Sequence, residues 1–233
     1  MFDKMENIYL EGKNLNFSYH EKEEPIINGI NLSLEKGKII GIVGLSGSGK
    51  TTLIKILNGL IPKRIQGIYN GTVSLRGKDF KNMTLQEISQ SIGTVYQNPD
   101  TQIIFSCVED EMAFGPENLC MSRKDILKKI DYVLELLNIQ ELRYRNPNKL
   151  SGGEKQLVVL ASILTLDVDI IILDEPMSQI DAQGKKNIIK AIQRMKSAGK
   201  GIIMVEHAIE NLSISDEIFL LKEGKLKKFE GYL

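Results

Sequence analysis

The sequence predicts an α/β fold: a mixed, mainly parallel core sheet, with an antiparallel β-subdomain at its N-terminal end and a helical subdomain inserted into it. Three observations carry this. Ile39-Ile40-Gly41-Ile42-Val43, an apolar run of buried-strand length, passes through a glycine-rich loop into the helical pattern Thr52-Leu53-Ile54-Lys55-Ile56-Leu57. A second apolar run, Ile170 to Leu173, has the composition of a central parallel strand and ends in Asp174 and Glu175. Between them, Ile126, Ile130, Val133, Leu134 and Leu137 recur on one helical face, with Ser122 as N-cap ahead of Asp125.

A chain of 233 residues is long enough to bury a real core as one large domain or two small ones. Lys+Arg and Asp+Glu both number 30, so the charge balance gives no sign of a nucleic-acid surface or an anionic-membrane anchor. Cys107 and Cys120 lack metal-ligand spacing and are too few for a disulfide framework, which fits a reducing compartment. Met1 to Glu6 mix charges early, without the apolar core of a signal peptide. No apolar run approaches the ~20 residues that span a bilayer, so any membrane segment is expected on another subunit.

In chain order, Ile8 to Leu34 alternate as half-buried antiparallel strands, punctuated by Pro25 and Asn28-Gly29, and a turn at Gly37 leads into the strand before the loop. Gly71 to Lys78 reads as a further strand ending in a turn. After the helical middle, strands return at Ile170 to Leu173 and at Gly201 to Val205, separated by a helical stretch from Lys185 to Ser197. Glu217 to Phe229 reads as a closing hairpin turning at Glu223-Gly224. There is no internal repeat, low-complexity tract or linker.

The glycine-rich loop is Gly44-Leu45-Ser46-Gly47-Ser48-Gly49-Lys50-Thr51. Its glycines let successive backbone N–H groups turn inward, and the helix that follows adds the partial positive charge of its N-terminus. Lys50 supplies a mobile cation for terminal phosphates, and the Thr51 hydroxyl is placed to ligate Mg²⁺. Asp174 stands at the C-terminal end of a central strand, where ligands bind in open α/β sheets and where an acid can hold Mg²⁺. Glu175 can orient or deprotonate an attacking water, and Pro176 stiffens the exit.

Leu150-Ser151-Gly152-Gly153-Glu154-Lys155-Gln156 supports two compatible readings. Ser151 with Glu154 makes a capping box. The two glycines also leave backbone N–H groups open at a helix start, which makes a second anion site. Two phosphate-binding helix starts with one lysine-bearing loop suit a face-to-face pair of chains, each nucleotide lying between one chain's loop and the other's Ser151, Gly152 and Gly153.

This last segment resembles the signature sequence of ABC-type ATPases, and the resemblance covers nearly all of residues 7 to 230. It implies a P-loop NTPase of ABC ATPase architecture, with ATP and Mg²⁺ bound. Residues 1–98 and 167–233 would form the nucleotide-binding core with the antiparallel β-subdomain, and 99–166 the helical subdomain bearing the signature. By position it implies that Tyr19 stacks on adenine, that Gly44, Leu45, Ser46, Gly47, Ser48, Gly49, Lys50, Thr51 and Thr52 bind nucleotide, and that Lys50, Gln97, Glu175 and His207 serve hydrolysis. Thr51, Gln97 and Asp174 would hold the metal, and Asp181 would communicate across the dimer.

A narrower resemblance follows Gln97. Tyr96 to Phe105 and Val108 to Asn118 are similar to the ATPases of energy-coupling factor transporters, which import vitamins and transition-metal ions. It implies a short helix and groove beside the glutamine that receive a transmembrane coupling subunit, a substrate-binding membrane subunit, a second ATPase chain of the same or different sequence, and a place at the cytoplasmic face of the membrane. Ile103, Ile104 and Phe105 read either as that docking surface or as core. Leu157, Met177, Gln179, Ile180 and Ala182 depart from the residues usual at their positions, which bears on how the dimer face pairs. The segment after the hairpin is short, so no appended regulatory domain is expected. A chromosome-maintenance ATPase would need a long coiled coil between Thr51 and Leu150, and no heptad tract lies there. A ribosome-associated ATPase would usually carry two cassettes and a basic linker. A GTPase reading fails because Ser151 occupies the aspartate position of the guanine motif begun by Asn148-Lys149.

Overall fold

The computed structural model describes residues 7–20 and 24–231, so Met1 to Glu6 lie outside the described residues. The strands are β1 Ile8–Ser18, β2 Ile27–Glu35 and β3 Ile39–Val43, followed by helices α1 Lys50–Leu57 and α2 Leu60–Lys63. Then come β4 Ile68–Leu75, β5 Lys78–Asp79, α3 Leu85–Ser89 and β6 Ile92–Val95. The helical middle comprises α4 Val108–Asn118, α5 Arg123–Leu137 and α6 Gly152–Leu164. The chain finishes with β7 Ile170–Asp174, α7 Ala182–Ser197, β8 Gly201–Glu206, β9 Glu217–Lys222 and β10 Lys225–Lys228.

Two sheets result. The antiparallel one has the order β2-β1-β4-β5, and the larger one has the order β10-β9-β3-β8-β7-β6. In the larger sheet β9, β3, β8, β7 and β6 run parallel, and β10 alone is antiparallel. Every residue of β3, β7 and β8 is buried, as expected of parallel strands covered on both faces.

The period-2 alternation of these strands divides the core in two. Ile39, Val43, Ile171, Leu173, Ile202 and Met204 face the apolar sides of α4, α5, α6 and α7. Ile40, Ile42, Ile170, Ile172, Ile203 and Val205 join α1 and the inner face of the antiparallel sheet. The helical middle thus packs on one face of the large sheet, and α1 lies sandwiched on the other. At about 1.5–3 kcal/mol for each fully buried aliphatic side chain, this double-sided burial is what holds the layers together.

Ser122 caps α5 through Asp125 N, in agreement with the sequence reading. Asn28-Gly29 is the main correction. The two residues do not interrupt the antiparallel region but lie inside β2, opposite Asn16 of β1. They form a bulge in which Gly29 takes φ 66° and its N–H donates to Asn16 Oδ1 at 2.8 Å. The chain reversal lies earlier, before Ile27. Two boundaries also move: β4 starts at Ile68 rather than Gly71, and α7 starts at Ala182 rather than Lys185.

Candidate functional site

Because β3, β8, β7 and β6 are parallel neighbours, their C-terminal ends share one edge. The segments that leave these ends carry the phosphate loop, His207, Glu175 and Gln97. They line one cleft of about 490 Å³ together with Ser46, Gly47, Gly49, Thr51 and Thr52. Here sheet topology, not sequence proximity, does the assembling.

Lys50 is the hub. Its side chain is 6% exposed, and its ammonium donates to Gly44 O at 2.8 Å and Leu45 O at 3.1 Å. His207 Nδ1 lies 3.3 Å from it, and Glu175 Oε1 lies 3.7 Å away. An ammonium has only donors, so Nδ1 accepts and Nε2 carries the imidazole proton. That Nε2 lies 2.7 Å from Glu175 Oε1, while Gln97 Nε2 donates to Glu175 Oε2 at 2.8 Å. Both Glu175 oxygens are therefore fixed by neighbours. The loop itself tolerates no side chain at Gly44, where a Cβ would meet Ser48 Oγ at 2.6 Å and Leu221 O at 2.7 Å.

The two acids at the end of β7 differ in their situation. Asp174 is 8% exposed, and burial, reinforced by the neighbouring Glu175 charge, raises its carboxyl to about 6 despite the opposing charge of Lys50. Glu175 has φ 51°, a left-handed conformation that costs a non-glycine residue about 1–3 kcal/mol. Its N–H donates to Val205 O at 2.9 Å, and its carbonyl accepts from Ser178 N at 3.0 Å.

Thr51 and Gln97 line the cleft and Asp174 ends β7 next to Glu175. The hydroxyl, amide oxygen and carboxylate they offer are all oxygen donors, the kind that suits Mg²⁺, an ion that takes few protein ligands and completes its shell with phosphate and water. The Ser48 hydroxyl is buried inside the loop with no hydrogen-bond partner among the described residues, a polar group suited to a phosphate oxygen. Tyr19 stands beside the loop, its hydroxyl 3.4 Å from Thr52 Oγ1 and its ring edge-on to Phe17 at 4.9 Å.

Ser151, Gly152 and Gly153 are not among the residues lining the cleft at Lys50. Gly152 instead borders a separate hollow of about 390 Å³ with Gln97, Asp100, Lys155 and Gln179. The capping box is present: Ser151 Oγ accepts from Glu154 N at 3.3 Å, and Glu154 Oε2 accepts from Ser151 N at 2.8 Å. Asp181 caps α7, accepting from Gly184 N at 2.7 Å.

The apolar segment after Gln97 divides. Ile103 packs on the core, Ile104 is 70% exposed, and Phe105 meets the half-exposed Phe114 at 5.3 Å between ring centroids. The departures Leu157 and Met177 are buried apolar residues of the same core as α6 and α7.

Several organising residues escaped the sequence reading. Glu111 is buried and accepts the N–H groups of Ile104 and Phe105 at 2.8 and 2.9 Å. Gln102 bonds Tyr96 N and Thr94 O, holding the segment after β6. Lys155 of α6 bonds Asp100 at 2.7 Å. Glu206 accepts from Met177 N at 3.2 Å and Asn211 Nδ2 at 3.1 Å. The last had a usable signal, since Glu206 ends an apolar parallel strand just as Asp174 does.

A sequence profile of the ABC transporter family matches residues 27–178. The chain belongs to that family. It is an ABC ATPase domain, and ATP binding and hydrolysis are the family's chemistry. It is 39% identical to an ABC transporter ATP-binding protein of Methanosarcina acetivorans over 93% of its own length, but spans only 34% of that relative. It is also 39% identical to the energy-coupling factor transporter ATP-binding protein EcfA of the same organism, covering 92% of this chain and 76% of that one. Among solved structures, CbiO1 of Clostridium perfringens, part of the ABC transporter complex CbiONQ, superposes with a TM-score of 0.86 at 29% identity, covering 95% of this chain and 88% of CbiO1. These likenesses bear out the α/β ABC ATPase architecture, with its mixed core sheet and antiparallel N-terminal sheet.

Proposed function

We propose that this ABC ATPase chain is the ATP-hydrolysing subunit of an energy-coupling factor importer, one that takes up a vitamin or a transition-metal ion. The observation that carries hydrolysis is the convergence of Lys50, Gln97, Glu175 and His207 on one cleft.

Within that reading Gly44 to Thr52 wrap the phosphates, Tyr19 takes the adenine, and Lys50 meets the terminal phosphates. Glu175 orients and deprotonates the attacking water, and Gln97 and His207 hold Glu175 in place. Mg²⁺, held by Thr51, Gln97 and Asp174, neutralises phosphate charge when bound. Phosphoryl transfer needs positioning and charge stabilisation more than covalent help, and these residues supply both.

Ser151, Gly152 and Gly153, carried by a helical subdomain at 99–166, act on the nucleotide of a second ATPase chain, with Asp181 at the contact. Their absence from the cleft at Lys50 supports this role. The output runs from Gln97 to Ile104 and Phe105, which Glu111 presents to a transmembrane coupling subunit. A substrate-binding membrane subunit completes the assembly at the cytoplasmic face, and no nucleic acid takes part. No described helix is long and apolar enough to cross a membrane. The names EcfA and CbiO1 among its relatives support the importer class.

The test is to isolate tagged Glu175→Gln chain with ATP from native membranes. The variant should hold the closed pair and bring down a second ATPase chain with integral membrane subunits. Recovery of only ribosomes or DNA complexes would overturn the transporter assignment.

A further inference from the structure

We propose that Glu206 is a positioning residue: its two carboxylate oxygens tie the turn carrying Glu175 to the loop carrying His207. The inference rests on the reading of Glu175 as the hydrolytic carboxylate. Glu206 is the last residue of β8 and is 2% exposed. One oxygen accepts the Met177 N–H at 3.2 Å, and the other accepts from Asn211 Nδ2 at 3.1 Å, beyond His207.

Glu175 sits in a left-handed conformation, so its turn needs external anchors to persist. Two of these come from consecutive residues at the end of β8. Val205 O takes the Glu175 N–H, and Glu206 takes the Met177 N–H. His207, next in sequence, then meets Glu175 Oε1 at 2.7 Å. One strand end thereby sets both partners of the pair.

Burying an acid here is unfavourable in itself. Burial pushes the Glu206 carboxyl up and the Glu175 charge adds to this, while the Asn211 and Met177 donors and the Lys185 charge oppose it. An apolar side chain would avoid that cost and is often at least as stable at a buried position. The gain from the acid is geometric, because a displacement of about 1 Å at reacting groups costs on the order of 100-fold in rate.

The test is steady-state ATPase activity and an ATP titration on the full chain, with thermal melting as the check on folding. Glu206→Ala should lower kcat by about tenfold or more and leave the titration midpoint within about twofold. Glu206→Gln, which keeps an oxygen for the Met177 N–H and can donate its amide N–H to Asn211 Oδ1 once the Asn211 amide turns over, should restore at least about half of the parental kcat. Asn211→Ala removes one of the two ties and should cost about threefold. Parental kcat in Glu206→Ala, or an equal loss in Glu206→Gln, overturns the inference. If Glu206→Ala does not fold, Asn211→Ala decides: the loss with an unchanged titration supports the role, and parental kcat rejects it. Glu175→Gln measured alongside separates the two failures. An inert Glu175→Gln beside an undiminished Glu206→Ala sinks only this inference, whereas a fully active Glu175→Gln sinks the reading of the site beneath it.

Discussion

The N-termini of α1 and α6 both follow glycine-containing, phosphate-type sequences, yet they are built in opposite ways. At α1 the N-cap is Gly49 at φ 101°, no side chain caps the helix, and the first turn holds no acid. Its orphan N–H groups open toward a cleft that also contains the Lys50 ammonium. At α6, Ser151 and Glu154 satisfy each other's backbone N–H groups, and the Glu154 carboxylate already sits at the helix start, where the dipole favours negative charge. The first end is left incomplete, and on the proposed reading it binds phosphate by itself. The second carries its own acid cap, and on the proposed reading its glycine N–H groups meet phosphate only when another chain's nucleotide is pressed against them.

The largest expected break in that comparison comes from Lys50→Ala. Charge-assisted hydrogen bonds contribute about 1.5–3 kcal/mol each, so the ATP titration midpoint should shift by about 10- to 100-fold. Ser151→Ala should leave the same titration unmoved. An unchanged midpoint in Lys50→Ala would falsify the assignment of α1 as the phosphate-binding end.

Asp174 gives a second contrast, because the cleft near α1 stores an electrostatic cost that the α6 start does not. Its carboxyl is held at about 6 in the folded chain, against about 3.9 when unfolded. The folded state therefore keeps the proton more tightly, and the ionised Asp174 costs stability above pH 6. That cost shrinks as pH falls from 6 toward 4 and is absent below. Asp174→Asn should accordingly raise the unfolding free energy at pH 7.5 in a chelator, by at most about 3 kcal/mol and read as a higher Tm, with the gain vanishing near pH 4. A gain that persists unchanged at pH 4 would mean that its source is packing and not charge. The same variant should lose ATPase activity, a trade of function against stability.

How far all this could be read in the sequence depended on the range of the interactions. The phosphate loop, Asp174, Glu175, the Ser122 cap and the Ser151–Glu154 box are set by neighbours within about one turn, and local pattern found them. Asn28-Gly29 misled because the dipeptide usual in a tight turn also fits a bulge, and only Asn16 on the facing strand decides between them. Glu111 and Lys155 look in sequence like ordinary charges on a helix. Their partners are the Ile104 and Phe105 amides in the irregular segment before α4, reached by the fold of that segment back onto the helix, and Asp100, brought to α6 from 55 residues away. Ile103 and Ile104 point opposite ways from adjacent positions, so no composition rule could have sorted core from surface there.

The smallest expected effect discriminates most finely between the two helix starts. Ser151→Ala removes the acceptor of the Glu154 N–H and should cost about 1 kcal/mol, a fall in Tm of about 2–4 °C for a chain of this size. Ser151→Thr, which also caps, should recover most of that loss. If capping were the whole role of Ser151, steady-state ATPase activity measured well below the melting range would stay at the parental level in both variants. If the serine also reaches a neighbouring chain's nucleotide, activity should fall in Ser151→Ala even at temperatures where the chain is fully folded, while the ATP titration midpoint stays fixed. Lys155 and Gln156 of α6 bond Asp100 and Tyr96 on either side of Gln97, so fraying of α6 also reaches the cleft at Lys50. Lowered turnover with a fixed midpoint therefore counts for the nucleotide contact only where Ser151→Asp, which keeps a cap but sets a negative charge against phosphate, lowers turnover as well. Parental turnover in Ser151→Ala would instead leave α6 with a well-capped start and no part in hydrolysis.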